Sequence, residues 1–270
     1  PPVLMTSEAV EDDPSSWRLE AYFEHRPDAQ VIALVRDLTP SAAKVKPQLE
    51  QLQDEDWVTL SQSGIEPVSA GRFYVHTATN KGRVPRGARV FRIDASLAFG
   101  TGTHETTGGC LIALDRLKRQ GAIFQNIADI GTGTGLLAFA ALHLWPRAYA
   151  IASDIDPMSI TVTRENAALN DVRLGEGAGA LALAVAPGMD HRAIIARAPY
   201  DLVIANILAG PLIELAGSLA GYCRPGAPMA LSGILADQAQ AVRDAYAPWF
   251  DLGPTRQRGD WVRIDGVRRG

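Results

Sequence analysis

Asp129-Ile130-Gly131-Thr132-Gly133-Thr134-Gly135, continued after a helical stretch by Ser153-Asp154-Ile155-Asp156-Pro157, is the stretch of sequence on which the fold depends. Ile127–Ile130 is a short apolar run of the length of a buried strand. The glycines that follow allow a tight turn into a helix over Leu136–Leu144. A second apolar run, Ala148–Ala152, ends just before Asp154. Strand, turn, helix and strand in this order imply two parallel strands joined by a right-handed crossover. In such sheets ligands bind beyond the carboxyl ends of the strands.

Working outward, Leu202–Ala205 and Pro228–Leu231 read as further buried strands. Met158–Leu169, Pro211–Tyr222 and Gln238–Ala247 read as helices, and Phe250–Leu252 with Trp261–Ile264 as a closing pair of strands. The alternation predicts an α/β fold, doubly wound with helices on both faces of a mostly parallel sheet. Gly175–Ala186, rich in Gly and Ala, does not read as the third strand such a sheet needs. Nearer the start, Trp17, Leu19, Ala21 and Phe23 alternate with polar residues, the period of a half-buried strand. Ser41–Leu52 reads as a helix with Pro47 in its first turn. Asp54–Ser63 fits helix and strand alike, and Gly64–Gly87 reads as a connection with a hairpin around Arg72–His76. The expected division is therefore an N-terminal domain over 1–63, a linker over 64–90 and the main α/β domain over 91–270. No fixed-period repeat appears.

The 270 residues carry a net charge of −4, with 47% hydrophobic and 21% charged residues, which suits a globular protein with a sizeable core. That balance lacks the basic surplus of a tight nucleic-acid binder. The clusters Lys81, Arg83, Arg86, Arg89 and Arg256, Arg258, Arg263, Arg268, Arg269 read as solvated surface. Cys110 and Cys223 stand alone, suggesting neither disulfide framework nor zinc site, and no metal is expected. No apolar run has the length of a membrane span. A cytoplasmic, monomeric protein is the expectation.

Asp154 lies where an acidic residue accepts hydrogen bonds from both hydroxyls of a ribose. Capping the next helix is the competing role, and Asp156, directly before Pro157, fills it better. Nicotinamide enzymes share this geometry, but their usual turn is G-x-G-x-x-G/A, and here Leu136 stands at the third place. Glycines at 131, 133 and 135 instead resemble the first motif of class I methyltransferases.

Upstream lies Ala98-Phe99-Gly100-Thr101-Gly102-Thr103-His104-Glu105-Thr106-Thr107, and downstream Asp201-Leu202-Val203-Ile204-Ala205-Asn206-Ile207-Leu208-Ala209-Gly210-Pro211-Leu212. With the glycine turn and Asp154 between them, these motifs resemble the ribosomal protein L11 methyltransferase family over about Trp57–Ile264. The resemblance implies a class I, Rossmann-like methyltransferase fold with a seven-stranded sheet whose last strand is antiparallel. It also implies a small ferredoxin-like α+β N-terminal domain for substrate recognition; here the chain is expected to start after that domain's first strand and helix. The implied cofactor is S-adenosylmethionine, and the implied substrate is ribosomal protein L11, methylated at its N-terminus and at lysines. Cofactor contacts carry over to Thr107, Gly131, Asp154 and Asn206, with Phe99, Gly100, Thr101 and Gly102 over the methionine part. Asp129, Thr132, Gly133, Gly135 and Ile155 complete the expected cofactor set.

Methyl transfer needs a nitrogen with a free lone pair, held in line with the methyl carbon, and positioning supplies much of the rate. Asn206 is the candidate to orient that amine, against a competing role in the turn before Pro211. His104 is a candidate proton acceptor or an organiser of its loop. Thr106 and Thr107 fit helix capping as well as cofactor contact. His25, His76, His143 and His191 read as surface or structural residues. Two rivals stay open: a methyltransferase for another amine or amide (a protein glutamine, nucleobase or metabolite), and a noncatalytic cofactor-binding module of ribosome assembly.

Overall fold

The computed structural model describes residues 3–8, 17–23, 25–39, 45–50, 66–94 and 105–270. The chain divides into two compact units, Pro1–Glu55 and Asp56–Gly270.

In the first unit, β1 (Val3–Glu8) pairs antiparallel with β2 (Trp17–Tyr22), the strand expected from the alternation after Trp17. Helix α1 (Ala29–Asp37) starts at Asp28, whose carboxylate accepts from the N–H groups of Gln30 and Val31 at 2.9 Å each. The expected helix over Ser41–Leu52 is not borne out where it is described, because residues 45–50 are not helical. Pro47 has no N–H to give and disfavours helical geometry at Lys46. The remainder of that segment, like Asp54–Ser63, lies outside the described residues.

The second unit opens with a small sheet. Strands β3 (Val68–Ala70) and β4 (Phe73–His76) form the hairpin expected near Arg72–His76, and β5 (Arg89–Arg92) lies parallel to β4. Helix α2 (Glu105–Arg119) packs beside it, and the buried Asp115 carboxylate pairs with Arg72 at 2.5 Å and Arg119 at 2.8 Å.

The main sheet is built from β6 (Asn126–Ile130), β7 (Tyr149–Asp154), β8 (Leu181–Val185), β9 (Leu202–Asn206), β10 (Pro228–Leu235), β11 (Phe250–Leu252), β12 (Arg256–Arg258) and β13 (Trp261–Arg268). Their order is β11-β13-β10-β9-β6-β7-β8, with β12 paired to β13. Strands β6 to β10 run parallel, whereas β13 is antiparallel to both β10 and β11. This is the doubly wound sheet that the sequence pattern predicts, with the antiparallel last strand that the resemblance implies and β12 added. The third strand is β8, which emerges from the Ala-rich half of Gly175–Ala186.

Helices α3 (Leu136–Leu144), α4 (Pro157–Leu169), α5 (Arg192–Ile195), α6 (Ala209–Tyr222) and α7 (Ala239–Tyr246) complete the unit. Adjacent residues of a strand enter opposite cores. Ile127, Leu202 and Ile204 join one core with α2 and α3, and Ala128, Val203 and Ala205 join the other with α6 and α7. Burial on both faces explains why these strands read as continuous apolar runs. Among the described residues, no helix is long and apolar enough to cross a membrane.

Candidate active site

Strands β9, β6 and β7 are neighbours, so Asn206, the turn after Ile130 and Asp154 end at one edge of the sheet. The turn is pinned to β7 by its backbone: Gly131 and Thr132 N–H donate to the Ser153 carbonyl at 2.8 and 2.9 Å. Gly131, Gly133 and Gly135 have φ of 70°, 56° and 87°, the left-handed region that favours glycine. Gly131 also allows a close approach, since a Cβ there would lie 2.0 Å from the Ile207 side chain.

Asp154 is half-buried. One carboxylate oxygen accepts from Gly133 N–H at 2.9 Å and the other from Asp156 N–H at 3.1 Å. Each oxygen keeps capacity for a further donor. Ile155 beside it is 71% exposed, an apolar surface available to a flat ring. Asp156 caps α4 through Met158 and Ser159 N–H, and the Met158 bond leads in holding its pKa down.

Asp129 and Thr132 lie deeper. The Asp129 carboxylate accepts from Thr132 Oγ1 at 2.7 Å and from Ala138 N–H at 3.1 Å, while its other oxygen is buried without a partner. Burial pushes its pKa up to about 7, against the opposing pull of the Thr132 and Ala138 bonds.

At the β9 end, the Asn206 amide donates to Thr107 Oγ1 at 3.1 Å. Its carbonyl oxygen Oδ1 is buried with no partner. Strand β10 supports this position through a bulge between Leu231 and Ile234. Ser232 carbonyl accepts from Ile207 N–H at 3.1 Å, and Gly233, at φ 82°, leaves no room for a Cβ, which would lie 2.5 Å from the Ile207 carbonyl oxygen. An open carboxylate and glycine-lined backbone fit an adenosyl sulfonium, and the orphaned acceptor stands at the same sheet edge. Phe99, Gly100, Thr101, Gly102 and His104 lie outside the described residues.

The family model described as "Ribosomal protein L11 methyltransferase (PrmA)" matches residues 4–269. The chain belongs to this family. It is 42% identical over 240 residues to the ribosomal protein L11 methyltransferase of Rhodopseudomonas palustris (strain BisB5), covering 88% of this chain and 79% of that protein. To the namesake from Brucella suis (strain ATCC 23445 / NCTC 10510) it is 40% identical over 267 residues, covering 97% and 88%. The crystal structure of ribosomal protein L11 methylase from Lactobacillus delbrueckii subsp. bulgaricus superposes with a TM-score of 0.64 at 27% identity, over 76% of this chain and all (100%) of that one. The L11 methyltransferase family thus accounts for nearly the whole chain, and the chain is an S-adenosylmethionine-dependent class I methyltransferase.

Within this L11 methyltransferase fold, sequence reasoning missed the residues that hold the turn from behind. Thr163 Oγ1 donates to Gly133 carbonyl at 2.9 Å, and Asn166 Nδ2 to Thr134 carbonyl at 3.1 Å. Asn166 Oδ1 also accepts from Asp94 N–H at 3.0 Å, and the Asn170 amide exchanges hydrogen bonds with Arg92 backbone. A signal existed: Thr163, Asn166 and the capping residue Asn170 form a polar stripe along the inward side of α4, and buried polar groups need partners. The other histidines are structural or on the surface: His76 bonds Thr77 carbonyl, His143 packs on Phe73, His191 caps α5, and His25 is exposed. No His, Cys, Asp and Glu group suited to a metal occurs among the described residues.

Proposed function

We propose that this chain methylates ribosomal protein L11, at its N-terminal α-amine and at lysine ε-amines. The observation that carries this reading is the buried, partnerless Asn206 Oδ1 at the sheet edge shared with Asp154 and the glycine turn. When bound, S-adenosylmethionine supplies an electrophilic methyl group on a sulfonium. Asp154 accepts hydrogen bonds from the ribose hydroxyls, Ile155 packs against the adenine, and Gly131 and Gly133 let backbone approach the cofactor. Thr107 holds the Asn206 amide so that Oδ1 faces the incoming nitrogen and accepts one of its N–H bonds, which aims the lone pair. Phe99–Gly102 complete the cofactor set.

An α-amine, with an ordinary pKa of about 7.7–8.0, arrives partly neutral, whereas lysine at about 10.4 sheds its proton as it is desolvated. His104, one residue before α2, is the candidate proton acceptor or loop organiser. The ordering of residues 1–63 as recognition domain, 64–90 as linker and 91–270 as catalytic domain is part of the same reading. So are a ferredoxin-like first domain, a monomeric state, a cytoplasmic setting and the absence of tight nucleic-acid binding.

The test is mass spectrometry of purified ribosomal protein L11 after incubation with the enzyme and S-adenosylmethionine. A gain in one-methyl steps, localised to the N-terminus and lysines, is expected. Unchanged L11 in a preparation that binds S-adenosylmethionine would overturn the assignment.

A further inference from the structure

A groove of about 360 Å³ lies between the first turns of α2, strand β10 and the β12–β13 hairpin. Its walls carry Arg116, Arg256, Arg258 and Arg263, together with Glu105 and Ser232. Two carboxylates answer these four guanidinium groups. Asp265 pairs with both Arg116 and Arg263 at 2.8 Å, and Glu105 stands 4.0 Å from the exposed Arg258. Arg263 is buried and further satisfied by Gly109 carbonyl. Arg256 has no ion pair among the described residues and sits directly across the ladder from Arg263, whose charge Asp265 already answers, so the Arg256 guanidinium is left for an anion from outside. The hairpin is held against α2 at Gly259, where any Cβ would meet the Glu105 carboxylate.

The groove adjoins the reacting position. Ser232 on its floor is the ladder neighbour of Asn206, one strand spacing of about 4.8 Å away. Ser232 Oγ also donates to the carbonyl of Thr106, the residue before Thr107, at 3.3 Å. A polypeptide whose amine reaches Asn206 Oδ1 therefore has neighbouring side chains within reach of the arginines. We propose that the groove binds a carboxylate side chain, Asp or Glu, on the polypeptide that carries the target amine. Guanidinium groups suit such a partner because their planar fork matches a carboxylate. A nucleic-acid track would need a longer basic surface than this pocket, on a chain whose net charge is −4.

This inference rests on the reading of the chain as a protein amine methyltransferase, and its test separates the two. Binding of hexaglutamate, followed by calorimetry, probes the groove without any methyl transfer; wild type is expected to bind it, and Arg256→Glu to lose about tenfold in affinity. Arg256 lies exposed on a short edge strand, so the variant keeps its fold and its S-adenosylmethionine affinity, both measured on the same samples. In the L11 assay, Arg256→Glu raises KM about tenfold and Arg256→Lys much less. Equal hexaglutamate binding by wild type and Arg256→Glu, or displacement by poly(U) in place of hexaglutamate, would overturn the proposal. Normal hexaglutamate binding without L11 methylation would leave the groove standing and remove the substrate assignment.

Discussion

At the β6–β7 end of the candidate site, protein groups hold the backbone of the turn, although Asp129 Oδ1 and Ser153 Oγ are buried beneath it without a partner. The turn backbone is bound to Ser153, Gly133 to Asp154 and Thr163, Thr134 to Asn166, and Thr132 to Asp129. At the β9–β10 end, Asn206 is anchored through its amide nitrogen alone, and its oxygen waits for a donor. Under the proposed function, the difference separates two tasks. A cofactor shared by every turnover is best met by a surface fixed in advance, because rigidity lowers the ordering cost of binding. An acceptor that arrives afresh each time needs a group whose hydrogen bond is made only when the nitrogen is in place, which favours the transition state over the empty site.

The largest effect that would sharpen this contrast is expected from Asp154→Ala. It removes the ribose acceptors and also the anchors of Gly133 and Asp156 N–H, so S-adenosylmethionine affinity falls by roughly 100-fold. Calorimetry showing an unchanged Kd would break the assignment of this end to the cofactor. Asn206→Ala comes next: turnover of L11 falls by about 10- to 100-fold while the Kd for S-adenosylmethionine shifts by only about threefold. If single-turnover rates and affinity fell together, the two ends would not divide the work as described.

The smallest effect concerns pH. Burial raises the Asp129 pKa to about 7, so the folded state holds this proton more tightly than the unfolded chain. The stabilising contribution is complete below the unfolded carboxylate pKa of about 3.9 and is lost as pH rises through about 7. Asp129→Asn flattens this part of the stability profile, read from urea midpoints at pH 5 and pH 8. Parallel profiles for the two proteins would show that Asp129 keeps an ordinary affinity for its proton.

The parts of the fold legible in sequence were those where local pattern and tertiary burial agree. Leu136–Leu144 is helical over the range predicted, because nearly all of it is buried between the sheet and α2 and it lacks breakers. Strand β10 runs on to Leu235, past the Leu231 limit read from sequence, since Ser232-Gly233 looks like a stop and is instead a bulge inside the strand. Helix α1 went unseen because Val31-Ile32-Ala33-Leu34-Val35 is a continuous apolar run without helical period, and its starting signal, Asp28, follows Pro27. Strand β8 was obscured by alanines, which favour no strand. That Asp154, Asn206 and the glycines meet at one sheet edge was legible because each closes a strand motif local in sequence. Thr163 and Asn166 were not, because their role depends on which face of α4 turns inward.

Asn166 has one consequence for mechanics. Its single amide grips the glycine turn with one end and the chain after β5 with the other, while Asn170, one helical turn on, clasps Arg92. Two loops remote in sequence therefore share a keystone. A displacement of the glycine turn is therefore passed to the chain after β5 through one side chain, which ties the small sheet to the rim of the main one.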